Sequence, residues 1–166
     1  METSSFMFGH PHGEMRRDER EITDLAEIDA ILTQERVMHI ALSCDDVPFL
    51  LPVFYVWDGS SIYFHSARAG SKIEIMKKNR AICFAISQFG GVVEDPLACN
   101  YEARHRTVIG LGKTYFVQDD AEKIAMLHRL MARFSRKSFT FPAANLTATQ
   151  VIRIDITSMK GKQHGF

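Results

Sequence analysis

Residues 49–57 carry no charged side chain, and apolar or aromatic residues fall on both alternations of the run. A strand turns successive side chains to opposite faces, so a run of this kind must be covered on both. That fits a barrel wall with a second layer, or a second subunit, outside it. Pro52 sits within the run and brings no N–H, which suggests a bulge or an edge where backbone groups are free for another purpose.

The same reading extends to the rest of the chain. Residues 37–43 read as a strand ending in a turn at Asp45-Asp46, and Asp58-Gly59 is a hairpin signal leading into a strand over 61–64. Residues 81–86 give a fourth strand, 103–118 a long fifth and 151–159 the last. In the fifth, Thr107, Ile109, Leu111, Tyr115 and Val117 share one face, and Gly110 and Gly112 share the other. Paired glycines there suggest curvature or the close approach of another surface. Three helices are expected, each opened by a capping box: Asp24 with Glu27, Ser71 with Glu74, and Asp119 with Glu122. The first has the stripe Leu25, Ile28, Ile31 and Leu32; the third has Ile124, Leu127, Met131 and Phe134. The second ends near Asn79. Residues 88–100 read as a loop and 135–148 as an irregular connection containing Pro142. Helices inserted between strands, without regular alternation, imply a mainly β (α+β) fold: a six-stranded antiparallel barrel with about three short helices. Residues 1–14 read as a tail, and 15–166 as a single domain.

Composition removes several function classes. Twenty basic residues balance 20 acidic ones, which argues against broad attraction to nucleic acid. No apolar run is long enough for a membrane helix, and the N-terminus lacks the apolar core of a secretory signal. Cys44, Cys83 and Cys99 form no C-x-x-C pair, the pattern of reduced thiols in a cytoplasmic protein. Cys83 and His39 are expected in the core. His10-Pro11-His12 reads as mobile tail, and no cluster has metal-ligand spacing. No G-x-G-x-x-G fingerprint is present, so a nicotinamide donor is expected to bind only transiently.

Chemistry concentrates between Tyr63 and Glu74, a strand end, a short loop broken by Gly70, and a helix start. A helix start presents N–H groups and positive potential, yet Lys72 places a cation in the first turn. A phosphate held by backbone amides, Ser66, Ser71 and Lys72 resolves that conflict. The alternative is an ordinary strand–helix corner with a solvated lysine.

The run Phe64-His65-Ser66-Ala67 with Gly70 and Lys72 resembles the signature of the nitroimidazole-resistance branch of the pyridoxamine-phosphate-oxidase-like flavoproteins. Further pieces follow in the same order: the arm 15–22, the strand segments 47–49 and 51–55, the strand 107–113, and the final strand 151–156 through Gly161-Lys162. The resemblance covers residues 15–163. It implies a split barrel of the flavin-reductase type that forms a homodimer with two flavins at the subunit interface. The cofactor it implies is FMN, with FAD as the alternative. The phosphate would lie near Ser66, Ser71 and Lys72, and the ring along Pro52, Val53, Phe54 and Tyr55. Phe54 and Ser71 depart from the family pattern, which puts a small polar residue at the first position and, in some members, a basic one at the second.

The resemblance also places His65 where family members carry a functional histidine. It then either orients an acceptor and supplies a proton, or only supports the phosphate corner. The basic cluster Arg104-His105-Arg106 reads as a solvated strand end or as a reach across the interface, and His164 and Phe166 as a frayed end or a cover for the flavin. Three functions compete. The first is a flavin-dependent reductase acting on a small nitroaromatic or quinone-like acceptor. The second is a haem-binding or haem-degrading barrel using His65, His39 or His164. The third is a non-catalytic flavin-binding stress protein.

Overall fold

The computed structural model describes residues 7–8 and 13–166. Six long antiparallel strands close into a ring: β8 (Thr149–His164), β5 (Ser61–Ala67), β4 (Val47–Trp57), β3 (Val37–Cys44), β6 (Ala81–Val93) and β7 (Glu102–Phe116), with β7 returning to β8. This is the expected split barrel. Two short strands lie against β8: β1 (Met7–Phe8), parallel to Ser158–Met159, and β2 (Glu21–Ile22), antiparallel to Gly161–Lys162. Met7 and Phe8 fall in the stretch read as a tail; His10-Pro11-His12 lies outside the described residues.

The ring is unevenly zipped. β7 and β8 pair from His105↔His164 to Phe116↔Ile152, and β6 and β7 from Ala81↔Lys113 to Val93↔Glu102. By contrast, β3 and β6 share three rungs (His39–Ala41 with Ala85–Cys83), as do β4 and β5 (Tyr55–Trp57 with Phe64–Ile62). β3 and β4 form a hairpin whose two-residue turn, Asp45-Asp46, has φ of 53° and 62°. Positive φ at both central positions is the twist a two-residue hairpin needs.

The interior is filled by the inward alternation of the strands: Met38, Ile40 and Leu42, Ile62 and Phe64, Ile82, Phe84 and Ile86, with Val108, Ile152 and Ile154. The glycine face of β7 turns inward. A Cβ on Gly110 would come within 2.3 Å of the Phe84 ring, and one on Gly112 within 2.6 Å of the Asp155 carbonyl oxygen, so the expected close approach is real. Helix α1 (Leu25–Gln34) covers part of the core with Ile28, Ile31 and Leu32, while Leu25 points away and is exposed. Helix α2 (Ser71–Lys78) inserts Ile73 and Met76.

Helix α3 (Asp120–Ala132) lies outside the barrel on a second cluster of Val56, Tyr63, Val117, Leu127 and Val151. Its buried stripe is Lys123, Leu127 and Leu130; Phe134 lies past its end and is exposed. Asp119 caps it, accepting from the Ala121 and Glu122 N–H groups, and Glu122 instead binds the Tyr63 hydroxyl and Arg153. The helix is thereby fastened to the sheet.

Several expectations need correction. Residues 88–93 continue β6, with a register shift between Phe89 and Val92, so only the tip of the expected loop is irregular. Local pattern is lost there at Gly90-Gly91, but cross-strand pairing with β7 carries the strand through. A short helix α4 (Ala143–Ala148) begins right after Pro142, within the expected irregular stretch. The last strand runs on to His164, because both β7 and β2 pair with it there. His39 is exposed on the outer face of β3, not in the core, since Met38 and Ile40 take the inward alternation. Cys83 is only partly covered, on the same outer face.

Candidate functional site

The hairpin between β4 and β5 is set by Asp58, whose Oδ1 accepts from the N–H groups of Ser60 and Ser61, both at 2.8 Å. The two strands then run together only as far as Tyr55↔Phe64. Continued in the same register, Phe54 would face His65, Val53 would face Ser66 and Pro52 would face Ala67. None of these pairs forms. β4 stays with β3 through Val37↔Phe54 to Cys44↔Val47, and β5 stays with β8 through Ala67↔Thr149. The residues singled out by the sequence are therefore the two lips of one split. Pro52 lies in an unbroken register with His39, so it marks an edge and not a bulge. A proline is tolerated on a strand with one unpaired edge.

The lips differ in chemistry. On β4, Val53 turns toward the core and Phe54 turns out, where its ring meets that of Phe134 edge-on at a centroid distance of 5.1 Å. The Arg36 guanidinium stands 5.7 Å from the Phe134 ring. Tyr55 is buried, and its hydroxyl donates to the Leu32 carbonyl at 2.8 Å. Burial raises the phenol pKa well above its ordinary value. Arg133 lies 5.2 Å from the Tyr55 ring and donates to the Glu35 carbonyl. Tyr55 can thus offer a ligand its backbone but not its hydroxyl.

On the β5 lip, Ser66 turns inward. Its Oγ is buried and has no hydrogen-bond partner. A buried hydroxyl left unpaired costs roughly 1–3 kcal/mol, so it marks a place where a polar ligand group would be stabilised. His65 turns outward toward α3. Its ring is partly packed and partly exposed, and that packing, then the nearby Lys72 ammonium, lowers its pKa from the ordinary 6.5. The imidazole is accordingly neutral at pH 7.

The lip ends at α2. The expected capping box does not form: Gly70, at φ 114°, is the N-cap, its carbonyl accepting from Ile73 and Glu74, and Ser71 is the first helical residue. Glu74 pairs with Lys77 at 2.9 Å instead of reaching back. Ser71 and Lys72 therefore begin the helix with N–H groups that have no carbonyl within it to bond. Those amides and the Lys72 ammonium are a donor set suited to a phosphate; the orphaned Ser66 hydroxyl precedes them in the chain. Arg68 is not part of that set, because its Nη1 donates to the Thr147 carbonyl at 3.0 Å.

The structure adds residues that sequence reasoning missed. Phe134 and Arg133 cover the β4 lip, and Phe141, with Asn145 and Leu146 of α4, lies beside His65. The one available signal was Pro142 ahead of Ala143-Ala144, a helix start too short to show a stripe. Other candidates lie elsewhere. His164 Nε2 is 2.9 Å from Glu102 Oε2, and Phe166 lies under Arg106, 4.2 Å from its guanidinium, so neither end is frayed. No group of three His, Cys, Asp or Glu among the described residues is placed to hold a metal, and no helix among them is long and apolar enough to cross a membrane.

A family model described as pyridoxamine 5′-phosphate oxidase matches residues 24–163. No curated protein matches the sequence. Among solved structures, a 5-nitroimidazole antibiotic-resistance candidate from Bacteroides thetaiotaomicron superposes with a TM-score of 0.77 at 24% identity, covering 86% of each chain. A flavocytochrome from Azotobacter vinelandii gives 0.81 at 24% identity, over 92% of this chain and 73% of the other. A FAD- and haem-binding protein from Mycobacterium smegmatis gives 0.78 at 17%, over 89% and 74%. At these identities the likeness establishes a shared fold.

Proposed function

The chain belongs to the pyridoxamine 5′-phosphate oxidase family, and from that premise we propose that it is a flavin-binding protein working as a flavin-dependent reductase on a small acceptor of nitroaromatic or quinone type. The observation that carries the reading is the split itself. The β4–β5 ladder stops at Tyr55↔Phe64, and the β5 lip ends in an orphaned Ser66 hydroxyl and the donor-rich start of α2. The phosphate of FMN, or the pyrophosphate of FAD, fits that donor set. The unpaired edge of Pro52, Val53 and Phe54 offers backbone groups to the polar rim of a planar ring. Among the structural neighbours, a flavocytochrome, a FAD- and haem-binding protein and a FAD-binding protein from Mesorhizobium loti are flavoproteins by their own description, which supports this assignment.

A bound flavin supplies the electron transfer; the chain supplies placement. Ser66, Ser71 and Lys72 hold the phosphate. Phe54, braced by Phe134, shields one side of the split. His65, neutral at pH 7, orients an acceptor through a hydrogen bond. The protein acts as a homodimer, because Leu50, Phe54 and Val37 leave an apolar outer sheet face uncovered in one chain. The flavin lies at that interface, a nicotinamide donor binds transiently, and with its free cysteines the protein is cytoplasmic.

The deciding experiment is spectroscopic. Purified protein reconstituted with FMN should show a flavin spectrum that bleaches anaerobically with a nicotinamide donor and recovers on adding a nitroaromatic or quinone. A Soret band with no flavin bound would replace this reading with haem binding. Bleaching without acceptor turnover would leave a flavin carrier.

A further inference from the structure

Behind His65, away from the barrel interior, lies a cleft of 170 Å³ between β5, α3 and α4. Its walls are apolar: Leu127 and Leu130 from α3, Phe141 just before α4, and Leu146 within it. Three polar residues line it, His65, Asn145 and Thr149. The walls are preformed. His128 packs on the Phe141 ring at a centroid distance of 4.8 Å, and Arg68 ties α4 down through the Thr147 carbonyl. An apolar cavity of about 150 Å³ is enough to hold one benzene ring.

We propose that this cleft binds a single-ring, uncharged aromatic molecule carrying a polar substituent, with His65 and Asn145 as its hydrogen-bonding ends. Shape and chemistry agree on this class. The volume matches one ring and is too small to enclose three fused rings such as the isoalloxazine. The apolar walls penalise a charged group placed among them. The neutral imidazole can donate through one nitrogen and accept through the other. His65 also belongs to the β5 lip, so a ring in the cleft lies next to the split. Its role as the acceptor's seat rests on the flavin reading, but the binding does not.

Phenol is the probe and 2-naphthol the size control, each titrated by ligand-observed NMR against the full chain with and without FMN. Saturable phenol binding is expected, with weaker binding of 2-naphthol. Leu130→Trp fills the cleft and should weaken phenol at least tenfold. Asn145 is exposed, so Asn145→Leu keeps the fold and should weaken phenol severalfold. Phe141→Ala enlarges the cleft and should strengthen 2-naphthol binding. The proposal is overturned if 2-naphthol binds the unaltered protein as well as phenol does, or if phenol binding is unchanged in both Leu130→Trp and Asn145→Leu. Flavin affinity measured in the same samples separates the two readings. Flavin bound without phenol removes the cleft, and phenol bound without flavin removes the flavin.

Discussion

Tyr55 and Phe64 form the last rung that β4 and β5 share, and one residue further along each strand, Phe54 and His65 stand unpaired across the split. Tyr55 is held in place from a third direction by its hydroxyl bond to the Leu32 carbonyl at the end of α1. The opening of the ladder is thus clamped at its root.

Removing that clamp should be felt in stability. Tyr55→Phe keeps the ring and leaves a buried carbonyl without its donor. We expect a loss of about 1–2 kcal/mol in urea unfolding, with the denaturant slope unchanged. A variant as stable as the parent would show that the hydroxyl bond is replaced by water.

Lys72 is the one mobile cation of the phosphate donor set. Lys72→Ala should fold normally and bind FMN roughly 10- to 150-fold more weakly, the effect of a charge-assisted contact of about 1.5–3 kcal/mol. Fluorescence titration of FMN measures it. An unchanged dissociation constant would move the phosphate away from the start of α2.

His65 makes stability depend on pH. Its pKa is lowered in the folded chain, so the unfolded chain takes up a proton more readily. The contribution is fully present above the ordinary value of 6.5 and falls as pH drops below it. The melting temperature of His65→Gln should therefore decline less than that of the parent between pH 7 and about pH 5. Parallel curves would mean that the ring is solvated in both states.

Asp46 adopts φ 62° at the second position of the β3–β4 turn, where glycine carries no steric penalty. Asp46→Gly should raise stability by up to about 1 kcal/mol, read as a higher melting temperature. A lower one would show that the aspartate side chain contributes more than its backbone costs.

Much of this architecture was legible in the chain. Apolar residues on both faces of residues 49–57 pointed to a barrel wall with a second layer or subunit outside it, and Gly110 and Gly112 to curvature or the close approach of another surface. The lips were legible as sequence segments, but their juxtaposition was not. It depends on where a ladder stops, and Phe54 and His65 look as fit for pairing as Tyr55 and Phe64. The Ser71–Glu74 box failed because the helix starts one residue early, with Gly70 at the cap, and Glu74 pairs with Lys77 instead. His39 was misplaced because its strand alternation could be read in either phase until Met38 and Ile40 settled it.

The two short seams of the barrel have a mechanical consequence. The β3–β4 hairpin is joined to the rest of the ring by three rungs to β6 and three to β5, whereas β5, β6, β7 and β8 are zipped to one another along most of their lengths. The hairpin is therefore a hinged leaf on a stiffer frame, and peeling it back breaks fewer backbone bonds than any other strand-pair movement around the ring. Subglobal opening of this kind costs less than unfolding. One edge of the leaf is the β4 lip, so the motion that frees β3 and β4 from the frame also widens the split.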